Sequence, residues 1–176
     1  MILNQTTASL TSTSLSHVPT SNKHCVFRCG DSWFSVPAVA VRQIVVIPEL
    51  VRIPHCHRAI AGLGRLRGEF VPVISLGTLL EIDQSNESPA SACLLVLEGN
   101  CIWSLLISET IALESMETIV SQNVRLENPN NVVIGTAMFR DHIVRVLNPG
   151  GLLATAQSAF DQFWNRVNDR TMPQYS

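Results

Sequence analysis

The chain spells one phrase twice. Residues Gly62 to Leu80 read GLGRLRGEFVPVISLGTLL and residues Gly135 to Leu153 read GTAMFRDHIVRVLNPGGLL, and the two align without a gap at one constant offset. Seven positions are identical, among them Gly62 and Gly135, Arg67 and Arg140, and Gly77 and Gly150. Upstream, CVFRCGDSWFSV from Cys25 runs alongside LLVLEGNCIWSL from Leu94, which sets Gly30 over Gly99 and Phe34 over Trp103. Repetition on this scale restricts the fold to two copies of one small module, and specific function belongs where the copies differ.

With 176 residues and 46% hydrophobic content, the chain can bury one fair core or two small adjoining ones. Residues 1–22 carry ten Ser or Thr and no charge, so they lack the basic start and apolar run of a signal peptide and are expected to form a flexible tail. No later apolar run approaches the roughly 20 residues that a membrane helix needs. A cytoplasmic protein without direct membrane insertion is expected. Five cysteines, an odd number mostly in strand-like segments, point to reduced, buried thiols and away from a disulfide framework. The net charge of −2 supplies no field for nucleic acid, and aromatics fall mainly where strand cores belong. Charge is unevenly spread all the same: Lys23 to Leu79 is basic, and Leu80 to Asn130 is acidic. Eleven of the twelve basic residues are Arg, suited to bidentate carboxylate recognition or simply a product of codon usage.

The ordered part opens with HCVFRCGDSWFSVP, a β-hairpin turning at Gly30-Asp31. AVAVRQIV spaces Ala38, Val41, Arg42 and Val45 at helical intervals, and one or two turns of helix are expected despite its β-branched residues. IAGLGRL and EFVPVIS form a second hairpin turning at Arg67-Gly68, where Gly68 can take a positive φ. Pro72 has no amide hydrogen, which predicts that its strand lies at a sheet edge or carries a bulge. After the polar connector EIDQSNESPAS the plan repeats, giving about five strands per half. Small units of this kind close into barrels to hide their edges. The predicted division is a tail over 1–22, a core over 23–155 with one barrel from each half, and a helix with tail over 156–176. In that helix Ala156, Phe160, Phe163, Trp164 and Val167 share one stripe, to dock on the barrels or to receive a partner.

Catalytic and cofactor patterns are weak. GLGRLRG has the wrong spacing and a strand after it, where a dinucleotide loop needs a helix. His55-Cys56-His57 lacks a second ligand pair for a metal. Ser75, Ser104 and Cys101 lie in strand-like contexts, not on a nucleophile elbow. No enzyme and no cofactor is predicted. Arg67 at the hairpin tip is more informative, because folding does not require an arginine there; it is a solvated turn residue, a partner for Glu69, or part of a recognition surface.

Gly62 followed by Leu66-Arg67-Gly68-Glu69-Phe70-Val71-Pro72-Val73-Ile74-Ser75-Leu76 resembles the CheW-like family, the adaptors of bacterial chemotaxis. Phe27, Gly30, the segment Val41-Arg42-Gln43-Ile44, Arg52-Ile53-Pro54 and Gly135 support the resemblance, which spans Lys23 to Ala154. It implies a mainly β fold of two five-stranded SH3-like β-barrels with short helices and a C-terminal helix, and no catalysis. It further implies partners: the regulatory domain of a CheA-type histidine kinase and the cytoplasmic tip of a methyl-accepting chemoreceptor, in a chemotaxis, pilus or phototaxis pathway. The residues it assigns to receptor and kinase binding are Val41, Arg42, Gln43, Gly62, Arg65, Arg67, Gly68 and Glu69. Ala40 and Gln43 stand where the family has Lys and Glu, and Arg65 stands where it has Asn. These changes alter local charge and leave open an interaction scaffold in a complex without chemoreceptors.

Overall fold

The computed structural model describes residues 23–83, 91–120 and 131–171, so the N-terminal tail and most of the polar connector lie outside the described residues. The first six strands are β1 (Lys23–Cys29), β2 (Ser32–Pro37), β3 (Val41–Val46), β4 (Leu50–Val51), β5 (Ile60–Leu66) and β6 (Glu69–Ser75), followed by a short helix α1 (Leu76–Leu79). The next six are β7 (Cys93–Glu98), β8 (Ile102–Ile107), β9 (Glu109–Ser115), β10 (Ile119–Val120), β11 (Val133–Phe139) and β12 (His142–Leu147), followed by the long helix α2 (Pro149–Thr171). The architecture is mainly β, as expected. Among the described residues each half contributes six strands where about five were expected, because β3 replaces an expected helix in the first half and the two-residue β10 adds to the second.

The predicted helix over AVAVRQIV is absent. Only Ala38–Ala40 turns, as a 3₁₀ segment, and β3 follows it. Its residues alternate, with Val41, Gln43 and Val45 half-buried and Arg42, Ile44 and Val46 exposed. A ladder with β7 rewards β-branched residues that a helix penalises, so tertiary pairing overrides the helical spacing.

The strands form two sheets, ordered β10-β11-β12-β2-β1-β9 and β3-β7-β8-β6-β5-β4. Neither sheet corresponds to one sequence half, which corrects the expected division into one barrel per half. The first hairpin of each half is exchanged: β1 and β2 join the second half, and β7 and β8 join the first. The second sheet is consequently continuous in sequence, whereas the first is assembled from the two ends of the described chain. Each exchange is made by a parallel seam. Val73 lies beside Ser104 where β6 meets β8, and Val146 lies beside Ser35 where β12 meets β2.

Symmetry extends to backbone detail. Both second hairpins carry a register shift at the same place, between Ile60 and Gly62 and between Val133 and Gly135. Both turn on an arginine in the left-handed region, Arg67 at φ 50° and Arg140 at φ 52°. Ser75 Oγ accepts a hydrogen bond from the Thr78 amide at the start of α1, and Asn148 Oδ1 accepts one from the Gly150 amide at the start of α2. That cap, followed by Pro149, starts α2 well ahead of the boundary at 156. The upstream alignment slips by one residue. Arg28 pairs with Trp33 across the two-residue turn of the first hairpin, whereas Glu98 pairs with Ile102 across Gly99, Asn100 and Cys101. Strand pairing thus equates Trp33 with Ile102, and Val26, opposite Ser35, with Val96, opposite Ser104.

One core lies between the sheets. Phe27 and Phe34 of one sheet, with ring centroids 6.1 Å apart, meet Leu95, Leu97, Trp103 and Leu105 of the other, and Leu152 and Ala156 of α2 close the same cluster. The side chains of Phe163, Trp164 and Val167 lie outside the described set. A second cluster, centred on Val26, Phe139, Val144 and Val146, fills the curl of the first sheet alone. β1 and β7 are buried on both faces over most of their length, which is why β7 reads as an unbroken apolar run and β1 carries the apolar stretch Cys25-Val26-Phe27 at its centre. Burial of this extent, at about 25 cal/mol per Å² of apolar area, is the main force holding the sheets together.

Pro72 overturns a second expectation, since β6 is interior and the bulge falls on β5. Its carbonyl faces β8 and accepts a hydrogen bond from Ser104 Oγ at 3.0 Å. Within a strand a residue's amide and carbonyl point to the same side, so the missing donor faces β8 just ahead of the ladder that starts at Val73. No bond to β5 is lost.

Candidate functional site

The second sheet curls far enough for its edge strand β3 to face the tip of the β5–β6 hairpin. Between them lies a cleft of about 230 Å³ whose walls include Arg42, Gln43, Leu66, Arg67, Glu69, Val71, Val96 and Ile102. Four residues singled out from the sequence, Arg42, Gln43, Arg67 and Glu69, are thereby brought together. Arg42 pairs with Glu98 at 3.7 Å, and both side chains are well exposed. The sequence left open a pairing of Arg67 with Glu69; among the described residues no ion pair involves Arg67, and Glu69 stands opposite Leu66.

The other predicted residues separate from this cleft. Gly62 is buried at φ 143°, and a Cβ there would come within 2.6 Å of the Val51 carbonyl oxygen. Gly135 meets the Ile119 carbonyl at the same 2.6 Å. Glycine is needed at both places because the neighbouring short strands β4 and β10 bring a backbone carbonyl directly against them. Gly68, at φ 93° with open space around it, serves the turn; two consecutive positive φ values give the hairpin its type I′ form. Arg65 lies on the outer face, opposite the exposed Phe70.

Val41 lines a different concavity. A groove of about 370 Å³ runs where the two sheets meet, between β3 and β9, with Ala38, Val41, Ile44, Ile111 and Leu113 giving it an apolar lining. Gln43 borders both the groove and the cleft. Ile44 and Leu113 are exposed on its rim. Deep in its wall Cys25 is buried, and its thiol is pushed up to about 11, first by burial and then by the neighbouring Cys93. The five cysteines form no disulfide; contrary to the expectation of buried thiols throughout, Cys101 is exposed in the turn between β7 and β8.

The copy of the cleft in the first sheet is closed. Trp33 holds the position of Ile102, Phe139 that of Leu66, and His142 that of Glu69. Trp33 stacks on His142 with centroids 4.1 Å apart and planes 11° apart, and it packs against Phe139 at 6.0 Å. Ile111 and Ala112 replace Arg42 and Gln43 on the remaining wall and belong to the same apolar cluster. Reading from the sequence missed Leu66, Val71 and Ile102. Its own alignment held the signal, for an aromatic residue in one copy faced an aliphatic one in the other.

Of the side chains considered for nucleophilic chemistry, two are engaged in structure: Ser75 caps α1 and Ser104 binds the Pro72 carbonyl. Among the described residues no three His, Cys, Asp or Glu gather into a metal site, and no helix is long and apolar enough to cross a membrane. Two curled sheets in pseudo-twofold register, with a cleft and an apolar groove among their concavities, suit a protein-interaction module. A CheW-like domain model matches residues 23–157, and the chain belongs to this family of non-catalytic scaffolding adaptors of chemotaxis. Among solved structures, the scaffolding protein TtCheW from Thermoanaerobacter tengcongensis matches in fold with a TM-score of 0.63 at 20% identity, over 74% of this chain and 90% of that one. No curated protein matches the chain.

Proposed function

We propose that the protein couples a CheA-type histidine kinase to methyl-accepting chemoreceptors, or serves the same role in a pilus or phototaxis pathway, from a cytoplasmic position at receptor arrays. The observation that carries this reading is the sharing of Gln43 between two separate surfaces. The apolar groove between β3 and β9 suits one face of a receptor helix, as helix-in-groove recognition requires. The cleft around Arg67 suits the kinase regulatory domain, with cationic side chains to steer its approach. Each contact alone can be weak, because holding both partners raises their effective concentration. The departures at Ala40, Gln43 and Arg65 favour a second reading, a scaffold for a complex without chemoreceptors.

The test separates the surfaces. Arg67→Glu is expected to weaken binding of the kinase regulatory domain at least tenfold and spare the receptor tip, and Ile44→Asp to do the reverse, both variants retaining the wild-type melting temperature. Loss of neither contact removes the adaptor reading; loss of the kinase contact alone with no receptor binding by the wild type favours the scaffold.

A further inference from the structure

We infer that the cleft at Arg67 receives an aromatic side chain from a protein partner, presented beside a carboxylate. The inference rests on the reading of that cleft as a partner site and adds the chemistry of the occupant. The internal repeat supplies the argument, since the chain solves the same packing problem twice. In the first sheet the space enclosed by β9, β1 and the β11–β12 tip is filled by its own Trp33, stacked on His142 and set against Phe139. In the second sheet the equivalent space has Ile102, Glu69 and Leu66 around it and stays open, at about 230 Å³. Pockets that take whole small molecules run from about 300 to 1,000 Å³, so this one is sized for a side chain. Its floor keeps the apolar character of the filled copy, with Val71 in place of Val144 and Val96 in place of Val26.

Where the copies differ in polarity, the differences suit an incoming group. Ile111 and Ala112 of the filled copy are Arg42 and Gln43 in the open one. Gln43 and Glu69 supply acceptors for an indole N–H or a phenol O–H, which needs a partner when buried. Arg67, without an ion pair among the described residues, is placed for a carboxylate flanking the ring. An aliphatic anchor would leave these polar groups unanswered.

The repeat also provides the test. Ile102→Trp restores the plug of the first sheet, and Leu66→Phe is a milder version that copies Phe139; at least one is expected to fold with a wild-type melting temperature. Either folded variant is expected to bind the kinase regulatory domain at least tenfold more weakly. Wild-type affinity in a folded variant overturns the aromatic occupant, while a loss in Arg67→Glu still upholds the site. Independently of any kinase, indole-3-acetate titrated into methyl-labelled protein is expected to shift the methyl resonances of Leu66, Val71 and Ile102, and not to do so in Ile102→Trp. Absence of those shifts, or equal shifts in the groove residues Val41 and Ile44, overturns the inference.

Discussion

Arg67 and Arg140 occupy matching turns with nearly the same left-handed backbone, φ 50° and 52°. A bulky residue in this region costs about 1 kcal/mol or more relative to residues that accept it readily. Asparagine accepts the left-handed region more readily than arginine. Arg67→Asn and Arg140→Asn are each expected to raise stability by about 0.5–1 kcal/mol in urea unfolding. Only Arg67→Asn is expected to reduce kinase-domain binding; equal binding by both variants would show that the Arg67 side chain carries no recognition.

Gly62 and Gly135 lack room for a methyl group, and Gly68 has room but not the backbone. Gly62→Ala and Gly135→Ala are expected to cost about 2–4 kcal/mol each, combining overpacking with strain at Gly62. Gly68→Ala is expected to cost about 1 kcal/mol from its φ alone. Chemical denaturation of the three variants checks the order. If Gly62→Ala were as mild as Gly68→Ala, the close approach of the Val51 carbonyl would be wrong.

Two buried groups frame the pH range of maximal stability. Burial pushes His24 below its ordinary 6.5, so below pH 6.5 the unfolded chain takes up a proton that the folded one refuses, and stability falls. Cys25 is raised from 9.0 to about 11, so between those values the unfolded chain ionises while the folded thiol stays neutral, and stability falls again. The melting temperature is expected to change little between these limits on account of either group. Cys25→Val is expected to flatten the alkaline limb, and a limb unchanged by that substitution would assign it to other groups. At pH 8 iodoacetamide should label the exposed Cys101 long before Cys25.

The Arg42 to Glu98 pair is exposed at 3.7 Å, where such pairs contribute about 0–1 kcal/mol. Glu98→Gln is expected to shift stability by less than about 0.5 kcal/mol while leaving Arg42 available to an acidic partner, with a faster association rate at low salt. Stopped-flow association against ionic strength is the measurement. A large stability loss would mean that the pair holds β3 in place.

Much of this architecture could be read in advance, because hairpins are local: the turns at Gly30-Asp31, Arg67-Gly68 and Arg140-Asp141 are marked by their own residues, and the motif from Gly62 to Leu76 names the family. What pairs with what was not local. β1 finds β9, and β8 finds β6, through burial that no short window records, so the hairpin exchange was invisible. β3 was misread because its helical spacing is an accident of a strand with one face half-buried. The cleft was half legible: Arg67 and Glu69 stood out as charges at a turn, but Leu66 and Ile102 matter only for being smaller than Phe139 and Trp33, a contrast present in the alignment whose meaning depends on β3, β5, β6 and β8 meeting around one space.

The exchanged hairpins set an order of events during synthesis. The sheet carrying the Arg67 cleft has all its strands once the chain has emerged as far as Ile107. The first hairpin, translated earlier, can set one face on that sheet but has no strands to pair with until β9 and β12 follow. Val26, fully buried at the end among side chains of the later strands, is therefore exposed for longest. A nascent chain stalled after β8 is expected to hold a formed recognition cleft beside a sticky, unpaired ribbon, which makes that ribbon the natural target for a chaperone and the segment through which two newly made copies would most readily entangle.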